Sequence, residues 1–189
     1  DQDAPDWRLR LANPASGGVG WIPSLSLVNA RLRVMRASSG LDERLDGLDA
    51  TLWWRSRQSP ASLAAEFRWR AEAARVSAWL GAPATVLAGG ESATRVELHA
   101  PSIDLEFGGH LGGEKGESLA GRLALASPSL RRLLRLTTFD PPLPGAAERL
   151  RLDCDVNLRA RALSLSEARI ELDESDFDGV LSLRYEDGA

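Results

Sequence analysis

Residues 25–34 read LSLVNARLRV, and residues 163–172 read LSLSEARIEL. Each copy is followed by an Asp-Gly pair and a second alternating stretch, at 46–52 and at 178–183. Alternation with a period of two places the leucines of each copy on one face of a β-strand. The shared unit is a strand, a polar turn and a return strand, as expected for a repeat that is built to be stacked. An ordinary antiparallel meander would explain the alternation but not the match over ten positions.

A third, shorter copy reads LAGRLAL at 119–125. Its glycine, like Gly47 and Gly179 in the longer copies, has two interpretations. It either relieves a β-bulge that bends the return strand or marks the point where the backbone leaves a turn. The alternation leaves both interpretations open.

Composition narrows the class of protein. The 189 residues are 43% hydrophobic and carry a net charge of -4, which suits one domain with a core and argues against a nucleic-acid surface. The single cysteine, Cys154, excludes an intrachain disulfide and a cysteine metal site. No run approaches the roughly 18 apolar residues of a membrane span, so we expect any anchor or targeting segment to lie outside this piece.

Strands are predicted along most of the chain. The stretch at 61–70 is the clearest amphipathic strand, and a short strand with a connection is predicted within 1–24. Residues 95–107 alternate on both sides of Pro101, which predicts either two paired strands or one bent strand. The repeat-like hairpins are predicted at about 25–54, 95–126 and 149–185.

Two short helices are predicted. Residues 72–80 lose the period-two pattern, contain good helix formers and precede Gly81 and Pro83, which predicts a helix that stops there. Residues 128–137 follow Ser127 as an N-cap and begin with proline, which predicts a second helix.

The predicted fold class is mainly β: an antiparallel, repeat-derived curved sheet, either an open groove or a flattened barrel, with one or two short helices. Residues 1–189 are expected to form a single segment of a larger β-groove domain.

Several motifs in the second half occur in a specific order: strand, turn, strand, Pro-Ser-Leu helix, proline loop and Ala-Arg strand. They are FGG at 107–109, LAGRLAL at 119–125, SPSLRRLLRL at 127–136, PPLPG at 141–145, LSLSEARIEL at 163–172 and DGVLSL at 178–183. This order resembles the periplasmic region of the AsmA family of bacterial envelope proteins. The resemblance covers most of residues 95–185, and the hairpin at 25–52 extends it.

The resemblance implies a periplasmic location and a parent protein anchored in the inner membrane. It implies a long β-sheet curled into a hydrophobic groove that shelters lipid chains between the two membranes, with a non-enzymatic role in lipid transport or outer-membrane biogenesis. The chain departs from the family pattern because it lacks the anchor and is shorter than a bridge between membranes. We therefore expect one segment of such a protein.

The residues themselves also favour a groove, because a sheet with one apolar face must cover that face. Phospholipid acyl chains are the expected ligand, and the alternative of a closed core stays open because alternation does not say what covers the face. The candidate lining residues are Leu27, Leu32, Val34, Leu63, Phe67, Trp69, Leu105, Phe107, Leu123, Leu125, Leu165, Ile170, Leu172, Leu181 and Leu183.

A second hypothesis is a structural or assembly module. In that case a strand edge pairs with an adjacent segment of the parent protein or with a second copy, because open sheets always present such edges. Trp53 and Trp54 are adjacent, so a regular strand places at least one of them away from the core, where it could mark an interface.

No catalytic residue, metal site or cofactor is predicted. His99 and His110 are the only histidines and lack a metal-binding spacing. The glycine-rich run at 108–116 fits a hairpin turn better than a phosphate loop, and the acidic run at 173–178 fits a turn better than a calcium loop. The arginines of 131–135 form either a solvated helix face or a contact with anionic lipid headgroups.

Overall fold

The computed structural model describes residues 23–36, 41–70, 72–113, 118–136, 149–159 and 162–184. In these ranges the chain forms ten β-strands and two short helices. The strands are β1 (Ser24–Arg36), β2 (Leu41–Trp53), β3 (Ala61–Trp69), β4 (Glu72–Leu80), β5 (Ser92–Ala100), β6 (Ile103–Gly112), β7 (Ser118–Ser127), β8 (Leu150–Arg159), β9 (Ala162–Leu172) and β10 (Ser175–Arg184). The helices are α1 (Pro83–Leu87) and α2 (Leu130–Leu136).

All ten strands belong to one sheet, and their order in the sheet is their order in the chain. Each strand pairs antiparallel with the next, so the sheet is a simple meander with β1 and β10 as its two ends. The mainly antiparallel β fold is confirmed. Of the two predicted alternatives, the sheet is the open one and is not closed into a barrel.

The helix predicted over residues 72–80 is wrong, because these residues form β4. Ala74, Val76, Ala78 and Leu80 share one face of β4, but the apolar Ala73 and Trp79 on the other face made the alternation weak. Alanine favours helices in isolation, yet this preference is a fraction of a kcal/mol and yields to tertiary context. Here β4 pairs with β3 over its whole length and with β5 over six residues. The helix comes one turn later, as α1.

The other predicted elements agree with the structure to within a few residues. The helix at 128–137 is confirmed as α2. Residues 95–107 form two strands, β5 and β6, which are joined by a turn at Pro101 and Ser102. Strand β6 extends to Gly112, so the predicted turn at 108–116 starts later. The strand predicted within 1–24 and the proline loop at 141–145 lie outside the described residues, apart from positions 23 and 24.

β-Bulges mark the repeated hairpins. One extra residue enters β1 at Asn29 and one enters β9 at Glu167, with positive φ angles of 49° and 48°. These two residues occupy the same fifth position of the repeated decamer. Gly47 supplies a third bulge, in β2, with φ 58°. The bulge interpretation of the repeat glycine is therefore confirmed for Gly47. Gly179, in β10, instead lies beside the bulge of the neighbouring strand β9.

Candidate functional site

One face of the sheet carries a row of apolar side chains that crosses every strand. Residues paired across strands share a face, so a chain of cross-strand partners traces one line over the sheet. We call this line the first apolar row. Its members, from β1 to β10, are Leu27, Ala50, Ala65, Val76, Leu98, Leu105, Leu125, Leu152, Ile170 and Phe177. With strands about 4.8 Å apart, the row is about 43 Å long and contains no polar residue.

A second apolar row runs parallel to the first, two residues further along each strand. Its members from β1 to β8 are Leu25, Leu52, Leu63, Ala78, Val96, Phe107, Leu123 and Cys154. Cys154 packs with Val156 and Ala168 in a buried cluster. The two rows together make a strip that is wider than one hydrocarbon chain.

Burial along the strip falls from the middle of the sheet to its ends. Phe107 in β6 is 6% exposed and Cys154 in β8 is fully buried, whereas every residue of β10 is exposed. Interior strands have a neighbour on each side, and end strands have one. In the described part of the chain no second sheet covers the strip, and the helices are only five and seven residues long.

The structure brings the predicted lining residues together. The cross-strand pairing places fourteen of the fifteen on the apolar face. For the fifteenth, Val34, the structure describes the backbone, which pairs with Glu43 of β2. The fourteen are Leu27, Leu32, Leu63, Phe67, Trp69, Leu105, Phe107, Leu123, Leu125, Leu165, Ile170, Leu172, Leu181 and Leu183. Among them Phe107 is buried, while Leu32, Leu181 and Leu183 are exposed.

Sequence reasoning missed part of the strip. The contribution of β4 was lost because residues 72–80 were interpreted as a helix. Leu152 and Val156 in β8 belong to a predicted strand and alternate with polar neighbours, so the signal that identifies them was present. Ala65, Ala74 and Ala168 are buried, but alanine is too small to mark a buried face on its own.

The opposite face of the sheet is polar and charged. Arg75 pairs with Glu66 at 2.8 Å, and Arg122 lies 3.4 Å from Asp155 and 3.8 Å from Glu167. These side chains are largely exposed, so each ion pair contributes no more than about 1 kcal/mol to the free energy of unfolding. Their main effect is to keep this face in water, and this leaves the other face for apolar contacts.

Two tryptophans interrupt the polar face. Trp53 in β2 and Trp79 in β4 are both exposed, and both pair with Ser62 in the strand between them. The expectation that Trp53 or Trp54 points away from the core is confirmed, with Trp53 on the polar face.

Cys154 is buried and chemically quiet. Burial raises the pKa of its thiol, and the carboxylates of Asp155 and Asp153 raise it further, while Arg122 opposes them. A thiol with a raised pKa is a poor nucleophile at neutral pH because little thiolate is present. The side chain therefore acts here as a small apolar residue.

A cleft of 550 Å³ opens at one end of strands β5 to β9, beside the start of α2. Ile103, Ala100 and Leu150 give it an apolar floor, and Arg149 and Asp173 are part of its lining. The backbone N–H of Arg149 donates to the Asp173 carboxylate at 2.8 Å. The remaining lining residues are Asp104, Ala126, Ser127, Pro128, Arg151 and Glu171. The lining therefore carries both cationic and anionic side chains.

A buried polar cluster beside the cleft has a structural explanation. The Ser102 backbone N–H and hydroxyl both donate to the Glu72 carboxylate, and the Ser127 hydroxyl donates to the Ser102 carbonyl at 2.7 Å. These bonds hold the β5–β6 turn against β4 and β7. They also give the buried polar groups of the cluster the hydrogen-bond partners that such groups need. Neither His99 nor His110 takes part in these three hydrogen bonds.

Within the described ranges, no group of three or more His, Cys, Asp and Glu side chains could hold a metal ion. His99 lies 2.5 Å from Asp104, its cross-strand partner on the polar face. No helix in those ranges is long and apolar enough to cross a membrane.

No protein-family model, no curated protein and no solved structure matches this chain.

Proposed function

We propose that the apolar face of this sheet binds lipid acyl chains and that the protein is a non-enzymatic lipid-handling segment of an AsmA-like envelope protein. The observation that carries the proposal is the first apolar row, in which all ten strands contribute an apolar side chain. A closed core requires apolar residues facing one another, whereas an unbroken row from one end of an open sheet to the other suits an extended hydrocarbon ligand.

The dimensions of the row suit this ligand. One leaflet of a bilayer has a hydrocarbon depth of about 15 Å, half of the roughly 30 Å core, and the row of about 43 Å exceeds it. An acyl chain lying along the row would remain among apolar side chains over its full length.

The distribution of charge supports recognition of the chain rather than the headgroup. Charged residues lie on the opposite face and at the strand ends, where cations and anions are mixed. Burial of hydrocarbon supplies the free energy of binding, while the headgroup stays in water. The resemblance of residues 95–185 to the AsmA family supports the periplasmic location and the role in lipid transport or outer-membrane biogenesis.

The first test uses the unmodified chain. Lipid extracted from the purified protein is identified by mass spectrometry, and lysophospholipids with one headgroup and increasing chain length are then titrated. We expect the Kd to fall with each added methylene, by up to about fourfold, since a buried methylene contributes about 0.8 kcal/mol. A Kd that follows the headgroup and ignores chain length would contradict the proposal.

The second test compares two neighbouring substitutions in β7. Leu125→Asp places a charge in the first apolar row, and Ala124→Asp places the same charge on the polar face one residue away. We expect Leu125→Asp to abolish lipid binding while Ala124→Asp retains it, with circular dichroism confirming that both variants are folded. Equal binding by two folded variants would show that lipid does not lie on this face.

A further inference from the structure

We infer that β10 of one molecule pairs antiparallel with β10 of a second copy across a two-fold axis, so that two copies form a dimer with one continuous sheet. In the described part of the chain β10 ends the sheet, and all of its residues are exposed. An end strand presents backbone N–H and C=O groups to which another strand can pair. The inference does not depend on the proposed lipid function.

Strand β10 lacks two features by which sheets protect their edges. It contains no proline, and the irregularity in its pairing with β9 comes from the extra residue in β9. No residue of β10 has a positive φ. Strand β1, at the other end of the sheet, carries a bulge at Asn29. Because bulges hinder edge pairing, the regular edge of β10 is the better template.

Symmetry and the two faces of the sheet restrict the register. In an antiparallel pair, residues opposite each other share a face, and every second residue points its N–H and C=O groups outward. A two-fold axis at which one residue meets its own copy keeps both apolar faces on the same side and sets outward groups opposite outward groups. An axis between two residues would set apolar side chains opposite polar ones. The axis therefore lies at a single residue.

The exposed apolar side chains favour an axis at Val180. This side chain is on the polar face, is 73% exposed and would contact its own copy. On the apolar face Phe177 and Leu183, which are 54% and 43% exposed, would lie opposite each other. Gly179 would lie opposite Leu181. Burial of these side chains favours association, and the first apolar row would continue into the second copy.

The charges of β10 complement one another in the same register. Asp176 and Arg184 lie near opposite ends of the strand, so the two-fold axis sets them opposite each other twice per dimer. Within the chain Asp176 lies opposite Glu171, a like charge, and Arg184 lies opposite Ala162. Opposite charges directly across a strand pair stabilise it. Dimerisation thus gives each residue a cross-strand partner of opposite charge.

The neighbouring registers fit less well. An axis one residue earlier would set the Asp178 carboxylate opposite Val180. An axis one residue later would set Asp178 opposite Arg184, although Asp178 already lies 3.6 Å from Arg169. That axis would also shorten the overlap to 178–184.

The contact is isologous, so association should stop at the dimer. We expect sedimentation velocity of the purified chain to show a monomer–dimer equilibrium. Asp176→Arg and Arg184→Asp should each weaken dimerisation at least about tenfold, because each puts two like-charge pairs into the contact. An equimolar mixture of the two variants should dimerise again, since both pairs then join opposite charges. Misfolded chains would not recover in this way.

Introduced cysteines test the register. In Val180→Cys the two thiols would meet at the axis, where opposite Cα atoms are about 4.5 to 5.5 Å apart, within the range of a disulfide. Ser182→Cys is the control, because Ser182 lies opposite Asp178 and its two copies would be about 13 Å apart along the strands. In a glutathione redox buffer only Val180→Cys should form a disulfide-linked dimer. The native Cys154 is fully buried.

A matched pair of lysine substitutions tests which edge is used. Val180→Lys should prevent dimerisation, because two ammonium groups would meet at the axis. Val28→Lys should leave it unchanged, since Val28 is 82% exposed but lies in β1. Circular dichroism shows whether the variants are folded. The inference is overturned if the unmodified chain is monomeric at all concentrations, if the charge-reversed mixture fails to dimerise, if Ser182→Cys cross-links as readily as Val180→Cys, or if Val28→Lys is the substitution that prevents association.

Discussion

At Gly109 and Gly121 the strands β6 and β7 approach each other more closely than a side chain allows. The two glycines are cross-strand partners on the apolar face. A Cβ at Gly109 would meet the carbonyl oxygen of Ala120 and lie 2.7 Å from the Gly121 Cα. Its neighbour Gly108 faces the other side, and a Cβ there would meet nothing within 4 Å. Two adjacent glycines thus have different roles, and only one is required by packing.

We predict opposite outcomes for alanine at these two positions. Gly109→Ala should lower the free energy of unfolding by about 1 to 3 kcal/mol, because backbone atoms have to move apart. Gly108→Ala should be neutral or slightly stabilising, since alanine restricts the unfolded chain and has open space in the folded one. Urea unfolding of both variants measures the difference. Equal free energies of unfolding for the two variants would show that β6 and β7 can move apart at Gly109 without a loss of stability.

At the scale of the element, the bulges distinguish these strands from a regular meander. Asn29 and Glu167 adopt the left-handed conformation at the same point of the repeat. The backbone N–H of Asn29 donates to the Asp49 carboxylate at 2.8 Å, which stabilises the first bulge. A bulge shifts the alternation by one residue, so the apolar side chains of β9 change from odd to even positions without leaving the apolar face. This explains why Leu165 and Ile170 share one face.

Glycine at position 167 should stabilise the protein. A non-glycine residue in the left-handed region pays about 1 kcal/mol of backbone strain, and glycine does not. We expect Glu167→Gly to raise the free energy of unfolding by about 0.5 to 1 kcal/mol, with a small loss from its exposed contact with Arg122. Ser166→Gly, one residue earlier in the same strand, is the control and should be destabilising. A loss of stability in Glu167→Gly as large as in the control would contradict the role of the bulge.

At the scale of the whole molecule, stability is expected to be graded across the sheet. Buried residues occur in the interior strands, among them Phe107, Cys154 and Val156, whereas all of β10 is exposed. Regions with few buried apolar contacts open at lower free energy than the core. A meander of neighbouring strands also lets an end strand detach without disturbing the middle.

Hydrogen exchange can measure this gradient. In the unmodified chain, diluted until it is monomeric, amides of β1 and β10 should exchange fastest and those of β6 to β8 slowest. Mass spectrometry of peptic peptides resolves the strands. Uniform protection from β1 to β10 would show that the sheet opens only as a unit.

The strand pattern of this protein is determined by its sequence. Leucine alternation identified the hairpins, the repeated decamer located equivalent strands, and fourteen of the fifteen predicted lining residues share the apolar face. These features are local, since a period of two depends only on which side of a strand each residue occupies. Ser127 and Pro128 likewise mark the start of α2.

The tertiary structure decided what no local pattern contains. Residues 72–80 became a strand because β3 and β5 flank them, and the preference of alanine for helices is too weak to prevent it. The pairing of Gly109 with Gly121, and the alignment of ten separate side chains in one row, depend on register between strands. Whether the sheet closes also depends on register and twist summed over all strands, so the open apolar face becomes visible only in the assembled sheet.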